Sequence, residues 1–318
     1  MKLKDIYSHF IKAGIAHDPR GAQEVEIYLK DINEKYKKLD KNAQGAFDKE
    51  TLTNPYADTR IIHGADNLEV KTVMAGIDIE TPELLLADSL RKGGQKIDLL
   101  IAHHPEAQAY AKFYDVISMQ SEILYRQGVP INLSERMVGK RGSLVKRSVL
   151  PQNHQRVEDA ARLLNIPMLV AHTVADNHVV SFLQKGIDKL KPRYIKDITK
   201  FLKNQPEYAY AEKLGSGPFI LAGNENSRCG KVFVDMTGGT EGPSEALQKL
   251  ADAGIGTIVC MHLSEKGFEA AEKAGLNVII AGHIASDNLG INLLLDGLEK
   301  KLGKLNYIEC SGFRRFKR

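Results

Sequence analysis

What the sequence lacks narrows its function before any motif is read. There is no tryptophan, and the only cysteines are Cys229, Cys260 and Cys310. They are odd in number, far apart and in no C-x-x-C spacing, which argues against a disulfide framework and against a cysteine-built zinc site. Cys260 sits in an apolar run and reads as core. No apolar run reaches the roughly 18 residues that span a bilayer, and the opening MKLKDIYSHF has no hydrophobic signal region, so a cytoplasmic location with no membrane partner is expected. A strong charge of one sign is missing too: 44 Lys plus Arg against 40 Asp plus Glu leave a net +4. That balance does not favour a nucleic-acid partner. The closing Arg314-Arg315-Phe316-Lys317-Arg318 reads as a solvated end, with phosphate contact the lesser reading. The phosphate motif G-x-x-x-x-G-K-[ST] is absent from the basic stretch 134–152 and at Gly230-Lys231, so 134–152 reads as a solvated loop.

What is there is an ordinary globular chain of 318 residues, 43% hydrophobic and 26% charged. It is long enough for two α/β units with real cores. Four short apolar runs stand out because each ends in histidine: residues 97–104, 167–172, 256–262 and 277–283. Such runs read as buried parallel strands, and in open α/β sheets ligands gather at the strands' carboxyl ends. Five of the 10 histidines fall there, namely His103, His104, His172, His262 and His283. A surface role gives histidine no reason to be placed so regularly, whereas a site fed by several strands does.

Taken in order, residues 1–66 carry helix-like spacing at 5–13 and 22–39 and then a polar stretch. They read as a helical extension of two helices and a loop, with His9, His17 and His63 at the surface. A first α/β lobe is expected over 67–190. It starts with a strand at 69–78 and a helix from Thr81-Pro82, followed by the strand that ends at His103-His104-Pro105, where proline denies the ladder a further donor. Beyond lie a helical stretch 113–127, a short strand 129–133, the basic loop, a helix 155–164, the strand before His172 and a helix 179–190 that Asp176 would open. Residues 191–217 read as a connection and 218–318 as a second lobe, with a helix at 288–302 and a last strand at 305–310. The order strand, Asp, turn, helix, strand, His of residues 70–104 recurs in this half, with His262 in the place of His104. The fold expected is therefore α/β, two related lobes from an internal duplication with the site in the cleft between them.

His283 and Asp287 stand four apart at a helix start, so they share one side of a turn and can hold one metal ion or bridge two. His103 and His104 can diverge at their strand end to reach two ions. With Asp176, a carboxylate able to bridge, the candidate ligands are His103, His104, Asp176, His283 and Asp287. Imidazole with carboxylate suits zinc, iron or manganese without selecting among them. Two divalent ions about 3.5–4 Å apart would acidify a water and clamp the oxygens of a phosphate or carbonyl substrate, so hydrolysis is the natural reaction. His172 reads as a neighbour that orients Asp176, and His262 as a further ligand or proton shuttle. His178 is expected at the solvent or the cleft mouth, and Asp78 and Asp235 as acceptors for turn amides. Asp287 has a competing use, as a carboxylate favoured at a helix N-terminus.

HHP after an apolar strand, then AHTxxD, then GHxxSD, over about residues 67–312, resemble the Nif-three-like family (Ngg-one-interacting-factor-three-like), also known as GTP cyclohydrolase one type two homologues. The resemblance implies two related α/β lobes and a ring-like homohexamer. It also implies a dinuclear metal site between the lobes, held by His103, His104, Asp176, His283 and Asp287. One position departs from the pattern: glutamate is usual where Asp287 stands, longer by a methylene. No separate acid, nucleophile or guanine-reading motif is visible, which leaves the expected substrate broad. The expectation is a metal-dependent hydrolase of a nucleotide, a phosphoester or a cyclic amide. The alternatives are a regulatory or protein-interaction module with structural metals and a metal-handling protein.

Overall fold

The apolar runs do form short strands, and the computed structural model, which describes residues 1–318, shows how they are shared between two sheets. The chain opens with α1 (Leu3–Ala16), α2 (Ala22–Lys37) and α3 (Lys41–Ala46), then a 3-10 turn (Lys49–Leu52) and β1 (Thr59–His63). Next come β2 (Thr72–Gly76), α4 (Thr81–Lys92), β3 (Leu99–Ala102), α5 (Ala107–Ala111), a 3-10 turn (Phe113–Ser118), α6 (Met119–Arg126), α7 (Ile131–Val149) and α8 (Gln155–Leu163). β4 (Met168–Ala171) leads into α9 (Thr173–Leu190), α10 (Ile195–Lys203) and α11 (Pro206–Lys213). The rest is β5 (Phe219–Ala222), β6 (Lys231–Asp235), α12 (Glu245–Asp252), β7 (Ile255–Cys260), α13 (Glu265–Lys273), β8 (Asn277–Ile280), α14 (His283–Leu302) and β9 (Asn306–Glu309).

The sheets run β1-β4-β3-β2-β9 and β5-β8-β7-β6. Both contain three parallel strands beside an antiparallel edge strand, β1 on β4 and β5 on β8, and each antiparallel pair carries a register shift. Only the first sheet has a further strand, β9, parallel to β2. Parallel strands covered on both faces must be apolar at successive positions. Leu99, Ile101, Leu169 and Ala171 point to one face, into a core with Phe10, Val174 and Leu294. Leu100, Ala102, Met168 and Val170 point to the other, with Leu84 of α4 and Val157 of α8. In the second sheet Val234, Val259 and Ile279 share a core with Val179, Leu183 and Leu289. Phe233, Ile258 and Val278 pack with Leu247 and Leu250 of α12.

Helices α9 and α14 thus serve both sheets. The first turn of α9 is buried with the first sheet and its later turns with the second; α14 does the reverse. Each fully buried Leu or Ile contributes roughly 1.5–3 kcal/mol, so this shared layer is firmly held. The two helices touch backbone to backbone: a Cβ on Gly290 would lie 2.7 Å from the Ala175 carbonyl oxygen. No helix is long and apolar enough to cross a membrane.

The structure departs from the sequence expectations in several places. Residues 1–66 are more than a helical extension, because β1 is a strand of the first sheet and Leu3, Ile6 and Phe10 are buried in its core. No strand forms at 129–133, and the stretch 134–152 is not irregular: α7 occupies most of it. Gly139 and Gly142 stand among the basic residues that made the stretch read as a loop, yet Ser134, Val138, Val145 and Val149 bury one helical face, and a Cβ at Gly142 would sit in ordinary contact, 3.9 Å from Ile117. Helix α9 begins at Thr173 rather than 179, and α14 at His283 rather than 288, because buried polar residues such as Asn177 and Ser286 mask the apolar period. Residues 191–217 contain α10 and α11. The last strand, read as part of the second half, pairs with β2 in the first sheet. The basic tail is docked rather than solvated: Arg315 binds Asp296 at 2.5 Å, and Arg318 forks onto the buried Glu207 at 2.7 and 2.5 Å.

Candidate metal centre

β3 ends where the His103 and His104 backbone N–H groups donate to the Ile77 carbonyl oxygen at 3.2 and 2.9 Å, bending the chain as both imidazoles leave the strand. β4 ends beside it, and His172 passes directly into α9, placing Asp176 in the first turn. In the second sheet Gly282 makes the turn from β8 into α14 with φ +106, and a Cβ there would lie 2.9 Å from the Ser216 carbonyl oxygen. Helix α14 therefore starts with His283 and carries Asp287 one turn on.

These ends converge. His103 Nε2 lies 3.5 Å from Asp176 Oδ1 and 3.4 Å from Asp287 Oδ1. Asp287 Oδ2 is 3.4 Å from His104 Nε2 and 3.7 Å from His283 Nε2. His172 Nε2 is 3.9 Å from Asp176 Oδ2. Two groups could hold a metal ion, His103 with His172 and Asp176, and His103 with His104 and Asp287. They share His103 and so form one continuous patch. His103 Nε2, His104 Nε2, Asp176 Oδ1 and both Asp287 oxygens are buried and lack any hydrogen-bond partner. A buried polar atom without a partner costs about 1–3 kcal/mol, and a set of five facing one another asks for a cation.

The far sides of the rings are occupied. His104 Nδ1 is 2.6 Å from Asp78 Oδ1, His172 Nδ1 is 2.8 Å from Asp58 Oδ2, and His103 Nδ1 is 3.2 Å from the Ala171 carbonyl oxygen. Each contact suits a ring proton on Nδ1 and turns Nε2 toward the carboxylates, so that a cation bound there would find Nε2 as its ligand atom. Burial pushes the Asp176 carboxyl well above the ordinary range, and the Asp287 and Asp58 charges push it the same way. Burial would raise Asp287 as well, but the His103 and His104 imidazoles hold it far below. His104, lowered by burial, is carried the other way to about 9 by Asp287 and Asp78. Burial depresses His103 and His283. Asp176, buried beside imidazoles and within reach of the Asp287 and Asp58 charges, has the environment of a carboxylate that needs a positive ion.

All five residues singled out in the sequence meet here. His283 is at the open side, 42% exposed, with the exposed His262 ring tilted against it at 4.9 Å between centroids. His172, read from the sequence as a neighbour of Asp176, turns its Nε2 toward the site, and sequence reasoning missed Asp58 altogether. It assigned Asp78 to turn amides, whereas Asp78 holds His104. His178 is buried rather than at the mouth, with its ring 4.2 Å from that of His17. The one available signal for Asp58 was its place before the β-branched run of β1. Asp287, in place of the longer glutamate, still divides its two oxygens between His103 and the His104–His283 pair.

No family model matches the chain. A curated protein of Archaeoglobus fulgidus named GTP cyclohydrolase 1 type 2 homolog is 30% identical over 93 residues, 29% of this chain. That match spans 36% of the relative's length, about a third. Among solved structures, reduced HcgD from Methanocaldococcus jannaschii, at 18% identity and TM-score 0.48 over 78% of this chain and 87% of its own, is a distant likeness on which nothing rests. The crystal structure of a NIF3 superfamily protein from Sphaerobacter thermophilus is 30% identical with a TM-score of 0.69, and the match covers 80% of this chain and 91% of that one. On that relation the chain belongs to the NIF3 superfamily.

Proposed function

We propose that the chain is a metal-dependent hydrolase in which His103, His104, Asp176, His283 and Asp287, joined by His172, hold two divalent ions of the zinc, iron or manganese kind. The observation that carries this reading is the set of five unpartnered buried donor atoms. Its substrate is a nucleotide, a phosphoester or a cyclic amide. When bound, such ions acidify a water and draw charge from the substrate oxygen. The chain's own part is positional. Asp58 and Asp78 fix the His172 and His104 rings, the shared layer of α9 and α14 sets the spacing of Asp176 and Asp287, and His262 at the mouth can take or give a proton at its ring nitrogen. The matching strand plans of the two sheets support a duplicated pair of lobes with the site in the cleft between them, and the reciprocal packing of α9 and α14 supports the same. The family resemblance supports a homohexamer, for whose contacts the exposed Leu85 and Leu86 on α4 offer apolar surface, and the sequence reading supports a cytoplasmic location.

The test is elemental analysis of protein purified without chelator, beside the His103→Ala, His283→Ala pair. About two equivalents per chain in the wild type, lost in the double variant, are expected. Asp58→Asn, which leaves every donor atom in place, should weaken metal affinity roughly 10–100-fold in a chelator competition. Wild-type protein that takes up no divalent ion on reconstitution would sink the reading.

A further inference from the structure

Next to the candidate metal centre, Gln120 of α6 and Asp235 at the end of β6 turn two hydrogen-bond acceptors toward one recess, whose lining includes the Ser244 hydroxyl. The cavity that Asp176, His283 and Asp287 open into, about 70 Å³, is bounded on another side by Asp235, Thr237 and Leu247. Asp235 and Leu247 also border a smaller cavity of about 30 Å³, lined by Ile123, Phe233, Leu250 and Gln120. Gln120 is 5% exposed. Its amide nitrogen donates to the Gly238 and Thr240 carbonyl oxygens at 2.9 and 2.7 Å, so the side chain cannot turn over without losing both bonds. Its Oε1 is left buried without a partner.

Asp235, the last residue of β6, faces the same point. A Cβ built on Gly242 would lie 3.6 Å from Gln120 Oε1 and 3.9 Å from Asp235 Oδ2, so the two acceptors converge on the open side of that glycine. Glu241, the neighbouring carboxylate, is already engaged: it accepts from the Ser264 N–H at 3.1 Å and the Ser264 hydroxyl at 2.8 Å. Burial, helped by the Glu241 charge, pushes Asp235 up to about 6. The recess is lined mostly by apolar side chains, and the Gln120 carbonyl oxygen buried in it wants an N–H donor, which a phosphoester group does not bring. A cyclic amide brings both what the metal centre takes, a polarisable carbonyl oxygen, and what the Gln120 oxygen lacks.

We propose that Gln120 and Asp235 form a substrate-reading subsite that takes the N–H donors of a small cyclic amide while its carbonyl oxygen lies at the metal centre. This rests on the hydrolase reading and narrows its substrate class. The probe is hydantoin, a five-membered cyclic amide with two N–H groups, against 1,3-dimethylhydantoin, which keeps the oxygens and lacks the donors. Binding to the metal-bearing protein is measured by calorimetry, with bound metal and ring opening followed on the same samples. Gly242→Ala places a methyl group on the donor position at ordinary contact distances, and Asp235→Asn removes the carboxylate.

Wild-type protein is expected to prefer hydantoin roughly tenfold or more, in keeping with a donor that satisfies the buried Gln120 oxygen. That preference should vanish in Gly242→Ala and shrink in Asp235→Asn, with metal content unchanged. Equal binding of the two probes, no binding of either, or a preference that survives Gly242→Ala would overturn the subsite and leave the recess as the seat of a structural water only. A preference for hydantoin that depends on Gly242, found without bound metal or without ring opening, would uphold the subsite and overturn only the hydrolase reading.

Discussion

Asp176 and Asp235 are both carboxyl groups pushed up by burial, and they differ in what can relieve them. Asp176 faces imidazoles and a second carboxylate, a setting that a cation resolves. Asp235 has no cation in reach and answers to pH. Its folded value of about 6 lies above the ordinary 3.8, so the folded state keeps the proton that the unfolded chain gives up. Stability is therefore present below pH 3.8 and falls as pH rises toward about 6, by roughly 1–3 kcal/mol, with no further change above. Asp235→Asn should flatten that slope. Urea unfolding from pH 4 to 7 checks it, and an unchanged slope in the variant would refute it.

At the scale of elements, the spacing of the metal-centre carboxylates is set by the crossing of α9 and α14. Gly290 lets the backbones meet at Ala175, so Gly290→Ala should force the helices apart, cost about 1–3 kcal/mol and loosen metal binding in the same protein. Unfolding and metal titration read the two effects together, and a variant as stable and as tightly metallated as wild type would show that the crossing is not critical. What the sequence made legible here was local. The four-residue step from His283 to Asp287 and the histidines at strand ends depend only on neighbouring residues. The role of Asp58 was hidden because its partner His172 is 114 positions away, and only the pairing of β1 with β4 brings them together. Helix α7 was hidden by basic residues around two glycines, whose cost its buried face outweighs.

Over the whole molecule, the last residues tie the two halves together. Glu207 is 1% exposed and depends on the Arg318 fork, with Asn292 adding a bond at 3.2 Å. Arg318→Ala leaves that carboxylate buried and unpaired, which should cost about 3–5 kcal/mol, and adding Glu207→Gln should recover part of the loss. Denaturant midpoints of the single and double variants decide this, and a single variant as stable as wild type would discount the fork. The pairing of β9 with β2 also fixes an order of events on the ribosome. Strands β5 to β8 can close as soon as Ile280 has emerged, whereas the first sheet, begun with β1, waits for Glu309 before its β2 edge is covered. Of the two carboxylates of the candidate site, Asp176 is made midway through that wait and Asp287 close to its end. A nascent chain thus carries a half-built site, rich in imidazole and short of Asp287, until the start of α14 has emerged.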